Sequence, residues 1–285
     1  MASRRSFDAP QYPLITFSAI FCGISAYIHW QLACTYRSDA MDPLTSAAAS
    51  GLRTSLESLD MLANNLANTQ TSGYKLDREF YDLYTSPDAL DASSYDPTQM
   101  PTIDKNWTDF AQGSLQQTSN QLDFAIAGDG FFAVNGPSGK LYTRNGAFRM
   151  SATGQLLTQD GYTVADTKGK PIQLDPSQPV TVDAQGMIRQ AGQDVAQLQV
   201  TSFDNLNQLA KQGSSYFQFK GPATGIKAAT GEVEQGKLEG SNVGPAESAV
   251  RLVSVMRQFE MLQKAISIGT DMNKQAIEEV ARSGQ

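Results

Sequence analysis

From Leu44 to Asn68 the apolar residues Leu52, Leu56, Leu59, Ala63 and Leu66 step by four, three, four and three. That is a heptad seam, too narrow for a helix surrounded by core and right for one pressed against another helix. Asp42 suits an N-cap with Pro43 in the first turn, and Gly73 ends the segment. At the other end of the chain Pro245 and Glu247 open a second amphipathic helix. Its residues Leu252, Val255, Met256, Phe259, Leu262 and Ile266 fall on one stripe, which Ile277 and Val280 extend. Both helices want a partner. They either pair only with each other, closing one globule, or also offer seams to other subunits, so self-association stays open.

Between the helices the pattern changes to period two and short runs. "LDFAIA", "GFFAV", "KLYTRNGAF", "QLL", "YTVA", "PIQL", "VTV", "MIR" and "AQLQVTSF" are strand-like, separated by glycine turns at Gly139, Gly146, Gly154, Gly161, Gly169, Gly186 and Gly192. "QDG" and "NG" are the strongest hairpin signals. This spacing predicts an antiparallel sandwich or barrel-like domain. The expected fold class is α+β, with N- and C-terminal helices packing as a coiled-coil-like pair around a central antiparallel β-rich domain. The expected organisation is an axial helix and joint over 41–84, an extended connector over 85–121, a β-rich outer domain over 122–220, a return connector and junction over 221–244, and a second axial helix over 245–285.

Composition changes the picture mainly by exclusion. A net charge of −7, with no Lys/Arg cluster after residue 5, argues against a nucleic-acid surface. The two cysteines, Cys22 and Cys34, and the single histidine, His29, all lie in the first forty positions. From Met41 onward the chain therefore has no thiol nucleophile, no imidazole base and neither of the commonest metal-ligand types, Cys and His. Within those first forty positions the apolar run from Tyr12 to Ala33 is long enough to span a bilayer, and "SRRSF" before it looks like a twin-arginine export signal. The competing expectation is that translation starts at Met41 and residues 1–40 are no part of the working protein, because rare residue types stop there as a new helical pattern begins.

No constellation predicts catalysis. "AGDGFFA" gives Gly128, Gly130 and Ala133 the spacing of a dinucleotide fingerprint, but a strand follows where a helix is needed. Asp123, Asp129 and Asp160 suggest a carboxylate pair for wall hydrolysis, yet nothing fixes two of them at a working separation. "YTRNGAF" mixes aromatics with Arg144 in a way that suits sugar or protein binding, and equally suits a half-exposed β pair. The expectation is no enzyme, no cofactor, no metal and no small-molecule substrate. A membrane-anchored or exported β-rich module binding cell wall is the alternative of a different class.

Two polar stretches stand where the helices meet the β portion. "LANNLANTQTSGYK" supplies Asn64, Asn65, Asn68, Gly73 and Tyr74, and "GKLEGSNVGP" supplies Leu238, Glu239, Ser241, Asn242 and Val243. Asn and Ser side chains complete backbone hydrogen bonds where helices start or stop, so both stretches read as joints. "ANNLANTQTSGYK" also resembles the N-terminal signature of bacterial flagellar rod and hook proteins. "GKLEGSNVGP" with "RQFEMLQKAI" resembles the C-terminal one, and 122–162 is similar to the same proteins' β domain. The resemblance covers Met41 to the C-terminus and is to the FlgF/FlgG family of basal-body rod proteins. Phe259 in "RQFE" and the "LEGSNVGP" junction lean to its proximal-rod members. The resemblance implies helical assembly into the periplasm-spanning rod, with terminal helices inside and the β domain outside. It also implies rod and hook-side subunits as partners, and delivery by the flagellar export apparatus.

Overall fold

A computed structural model of the protein describes residues 43–85, 99–137 and 139–283, with the backbone alone at 43–46, 80–85 and 99–106. The expectations for residues 1–40 lie outside the described residues. From Leu44 onward the chain forms one compact unit. Helix α1, Pro43–Ala67, and helix α2, Pro245–Ser283, flank an antiparallel β-rich body. The α+β expectation holds.

The body is built around the strand Phe131–Gly136. Successive side chains of a strand point to opposite faces. Here both faces are buried: Phe132 and Val134 join one core with Phe124, Phe148, Leu156, Val164 and Ile188, while Phe131 and Ala133 join a second with Tyr142, Phe203 and Phe217. Burial on both sides is why "GFFAV" reads as a continuous apolar run. The strand pairs with Gly139–Thr143, Thr163–Val164 and Val200–Phe203 within a nine-stranded antiparallel sheet. Gly128 and Gly130 lie in the turn that precedes it, both at positive φ, and no helix begins there.

Both expected connectors carry strands. Gln99–Thr108 pairs with Asp77–Thr85 to make a two-stranded ribbon. Of the later segment, Ile226–Ala228 pairs with Val200–Phe203, Glu232–Gln235 with Phe124–Ala127, and Lys237–Glu239 with Leu115–Gln117. Prolines at 97 and 101 and a polar composition hid the ribbon. "PIQL" in contrast makes only isolated bridges, at Pro171 and Gln173. Gly146 also differs from expectation. It is buried with no positive φ, and a Cβ there would lie 1.7 Å from the Phe124 carbonyl oxygen, so close packing rather than a turn demands glycine.

Candidate functional site

The two polar stretches meet in one buried joint. Helix α1 stops at Ala67, and the chain turns through residues 68–73 before Tyr74 and Lys75 enter the interior. Asn68 closes the helix end by donating to the Asn64 carbonyl at 2.9 Å, and Thr71 donates to the Asn68 side chain at 3.1 Å. Asn65, 1% exposed, accepts from Tyr74 Oη at 2.9 Å and from the Asp77 N–H at 3.1 Å, and donates to the Asp77 carbonyl at 2.9 Å. Tyr74 Oη also reaches Asn64 Oδ1 at 2.9 Å. Gly73 does not end α1, as expected, but lies six residues beyond it at φ +69°. Its N–H donates to the Glu239 carbonyl at 2.7 Å, and a Cβ would lie 2.3 Å from the Asn145 nitrogen.

At the centre is a buried ion triad. Glu239 Oε1 accepts from Lys75 Nζ at 2.6 Å and from the Gly113 N–H at 3.0 Å, and Oε2 accepts from Arg144 Nη1 at 3.1 Å. Lys75 and Glu239 have no exposed surface, and Arg144 is 4% exposed. Lys75 Nζ also donates to the Ala111 carbonyl, Arg144 Nη2 donates to the Gly128 carbonyl, and the guanidinium lies 5.1 Å from the Phe131 ring centre. Isolated buried charges are expensive, and this site makes them tolerable by pairing and hydrogen bonding. Burial still pushes the Lys75 pKa below the usual lysine range, against the opposing pull of Glu239. Burial raises that of Tyr74, with Asp77 adding to the rise.

Asn242 seals the second side. It accepts from the Leu76 N–H at 2.8 Å and donates to the carbonyls of Asp109 and Ala111. Ser241 Oγ accepts from the Val243 N–H; Val243 is buried and Leu238 half-buried. Lys211 Nζ sits 3.9 Å from the Tyr74 ring centre and bonds Asp77 at 2.7 Å. Lys75, Arg144 and Lys211 were missed as joint residues. Each is a lone cation in sequence, and only a carboxylate distant in the chain reveals its place.

Each helix has a buried or half-buried side and an exposed one. On α1 the face turned inward is Thr54, Ser55, Ser58, Met61, Leu62 and Asn65, all buried. Leu52, Leu59 and Leu66 are half-buried, Ala63 is exposed, and Leu56 is 50% exposed. On α2, Leu252, Val255, Phe259, Leu262 and Ile266 are half-buried at heptad spacing, and Leu262 lies against Gly51 of α1. Met256 is exposed, because it lies about 100° around the helix from Val255. Ile277 and Val280 are exposed too, and Val250, Val253, Met261, Ile268 and Met272 lie exposed on the opposite side of α2, interleaved with Arg257 and Lys264.

Among the described residues no group of three or more His, Cys, Asp or Glu is placed to hold a metal, and no helix is long and apolar enough to cross a membrane. Of the three carboxylates, Asp123 is bonded to Asn120 and Asp160 to Tyr216, while Asp129 is exposed in the turn after Ala127. An ion-locked joint carrying a β body on a pair of apolar-faced helices defines a structural subunit. Three family models match: "Flagella basal body rod protein" over 46–75, "Flagellar hook protein FlgE/F/G D1 domain" over 125–190, and "Flagellar basal body rod FlgEFG protein C-terminal" over 234–279. Lys75, Arg144 and Glu239 each fall in a different one of these segments.

Among curated relatives, the chain is 32% identical over 228 residues to the flagellar basal-body rod protein FlgF of Caulobacter vibrioides, covering 79% of this chain and 92% of that one. It is 33% identical over 204 residues to FlgF of Mesorhizobium japonicum, covering 71% and 83%. It is 32% identical over 253 residues to FlgG of Agrobacterium fabrum, covering 79% and 94%. The chain belongs to the FlgF/FlgG family of flagellar basal-body rod proteins, structural components of the flagellum. Membership places it in the flagellar basal body, in assembly with other rod or hook components. The wall-binding alternative is not favoured by these relatives.

Proposed function

We propose that the chain is built into the periplasm-spanning rod by its two terminal helices, whose exposed apolar faces pack against neighbouring axial subunits. The joint then holds the β body at a set position outside them. The observation that carries this reading is the row of exposed large hydrophobics Val250, Val253, Met261, Ile268 and Met272 on α2, opposite the side where Leu262 meets α1. A soluble chain has no reason to leave such a stripe uncovered along a helix of 39 residues. Leu56, half in solvent on α1, is the matching feature there. The seam residues Leu52, Leu56, Leu59, Ala63 and Leu66 act in this reading between subunits, together with Met256. Delivery is through the flagellar export channel. The proximal rod is the favoured position, on the strength of Phe259 and the 238–245 junction.

Leu56→Asp tests the reading. Its side chain is already half-solvated, so the isolated chain is expected to unfold within about 0.5 kcal/mol of the parent. A charge placed in an intersubunit seam should abolish rod assembly and swimming. Normal swimming by cells carrying only this variant would refute the seam.

A further inference from the structure

The ribbon of Asp77–Thr85 and Gln99–Thr108 leaves the joint at Asp77. Asp77 is held at the base by Asn65 of α1 and by Lys211 Nζ at 2.7 Å. Two residues on, and so on the same face, Glu79 has a side chain only 2% exposed. It accepts from the Ser58 hydroxyl of α1 and from Arg251 Nη2 of α2 at 3.0 Å. Arg78, between them, turns the other way, bonding Asp109 at 3.2 Å and lying over the Trp107 ring.

A two-stranded ribbon has a single ladder and little stability of its own, so its direction is set by whatever holds its stem. One anchored point is a pivot. Two, roughly 7 Å apart along the strand, fix an angle. The anchor at Glu79 differs in kind from the one at Asp77, because it draws on both helices at once. We propose that Glu79 is a clasp through which the α1–α2 pair dictates the direction of the ribbon, so that ribbon and helices move as one body. With the clasp open, Asp77 remains as a pivot. This assigns Glu79, Ser58 and Arg251 a positioning role separate from the triad at Glu239.

The experiment uses the full chain with Cys22→Ser and Cys34→Ser, and spin labels at Thr102→Cys on the ribbon and Ser254→Cys on α2. Double electron–electron resonance on this parent is expected to give a single narrow distance. Glu79→Gln, which keeps shape and removes charge, and Arg251→Met should each lose that single distance to a broad distribution. Arg53→Met, which removes an exposed ion pair with Glu57 elsewhere on α1, should keep it. A narrow distance retained in both Glu79→Gln and Arg251→Met overturns the proposal. If Glu79→Gln unfolds the body, Arg251→Met decides alone, since its side chain is 45% exposed and its loss leaves the core intact.

Discussion

Glu239 accepts from two cations in a site closed to water, so the triad carries more positive than negative charge. Removing the carboxylate strands both cations, whereas removing the Lys75 ammonium leaves a balanced pair. Glu239→Gln is therefore expected to lose about 3–5 kcal/mol and Lys75→Met distinctly less, read by urea unfolding. Equal losses would show that the excess charge is not felt. Gly146→Ala should lose about 1–3 kcal/mol, because its Cβ must displace the Phe124 backbone. The asparagines were legible as a joint, since amides at 64, 65 and 68 after a leucine-spaced helix have backbone groups to satisfy. Lys75, the last residue of the same stretch, was not. A lysine reads as solvated until its carboxylate is known, and Glu239 lies 164 positions away.

At the level of elements, periodicity placed both helices and most strands, because each reflects neighbours three, four or two positions apart. It did not mark the buried face of α1. Counting apolar residues selects the leucines, while the chain turns Thr54, Ser55 and Ser58 inward beside Met61 and Leu62. Small residues let a helix approach closely and leave no hydrophobic signal. The contrast is measurable by thermal unfolding. Ser55→Leu should cost about 1–3 kcal/mol by overpacking, while Leu56→Gln on the half-solvated side should stay within about 0.5 kcal/mol. The reverse order would put Leu56 inside and Ser55 on the solvated side. The ribbon was missed for a different reason. Its two strands are separated in sequence by residues 86–98, a spacing beyond the reach of any local hairpin signal.

For the whole molecule, the buried tyrosines and lysines oppose each other on the alkaline side. Burial raises Tyr74, Tyr142 and Tyr216. As pH climbs past about 10, tyrosines of the unfolded chain ionise while these stay protonated, so stability falls. Burial lowers Lys75 and Lys211. Their charged forms disfavour the fold, and that penalty is relieved as pH rises from the lowered value toward about 10.4. Denaturant unfolding across this range should show a modest rise followed by a steep decline. In Lys75→Met the rise should shrink and the decline remain.

The wide spacing of the triad also orders events in time. As the chain is made from its N-terminus, Lys75 is present long before Arg144, and both wait for Glu239. Contacts of such separation close late, after the loops between them have been formed. The body can condense around Phe131–Gly136 first, joined to the α1 side of the joint only through Lys211 and Asp77. Only the arrival of Glu239, six residues before α2 begins, locks the joint. The two helices therefore acquire a fixed relation to the body in the same late step, and a chain truncated before residue 239 would hold a folded body on an unlatched arm.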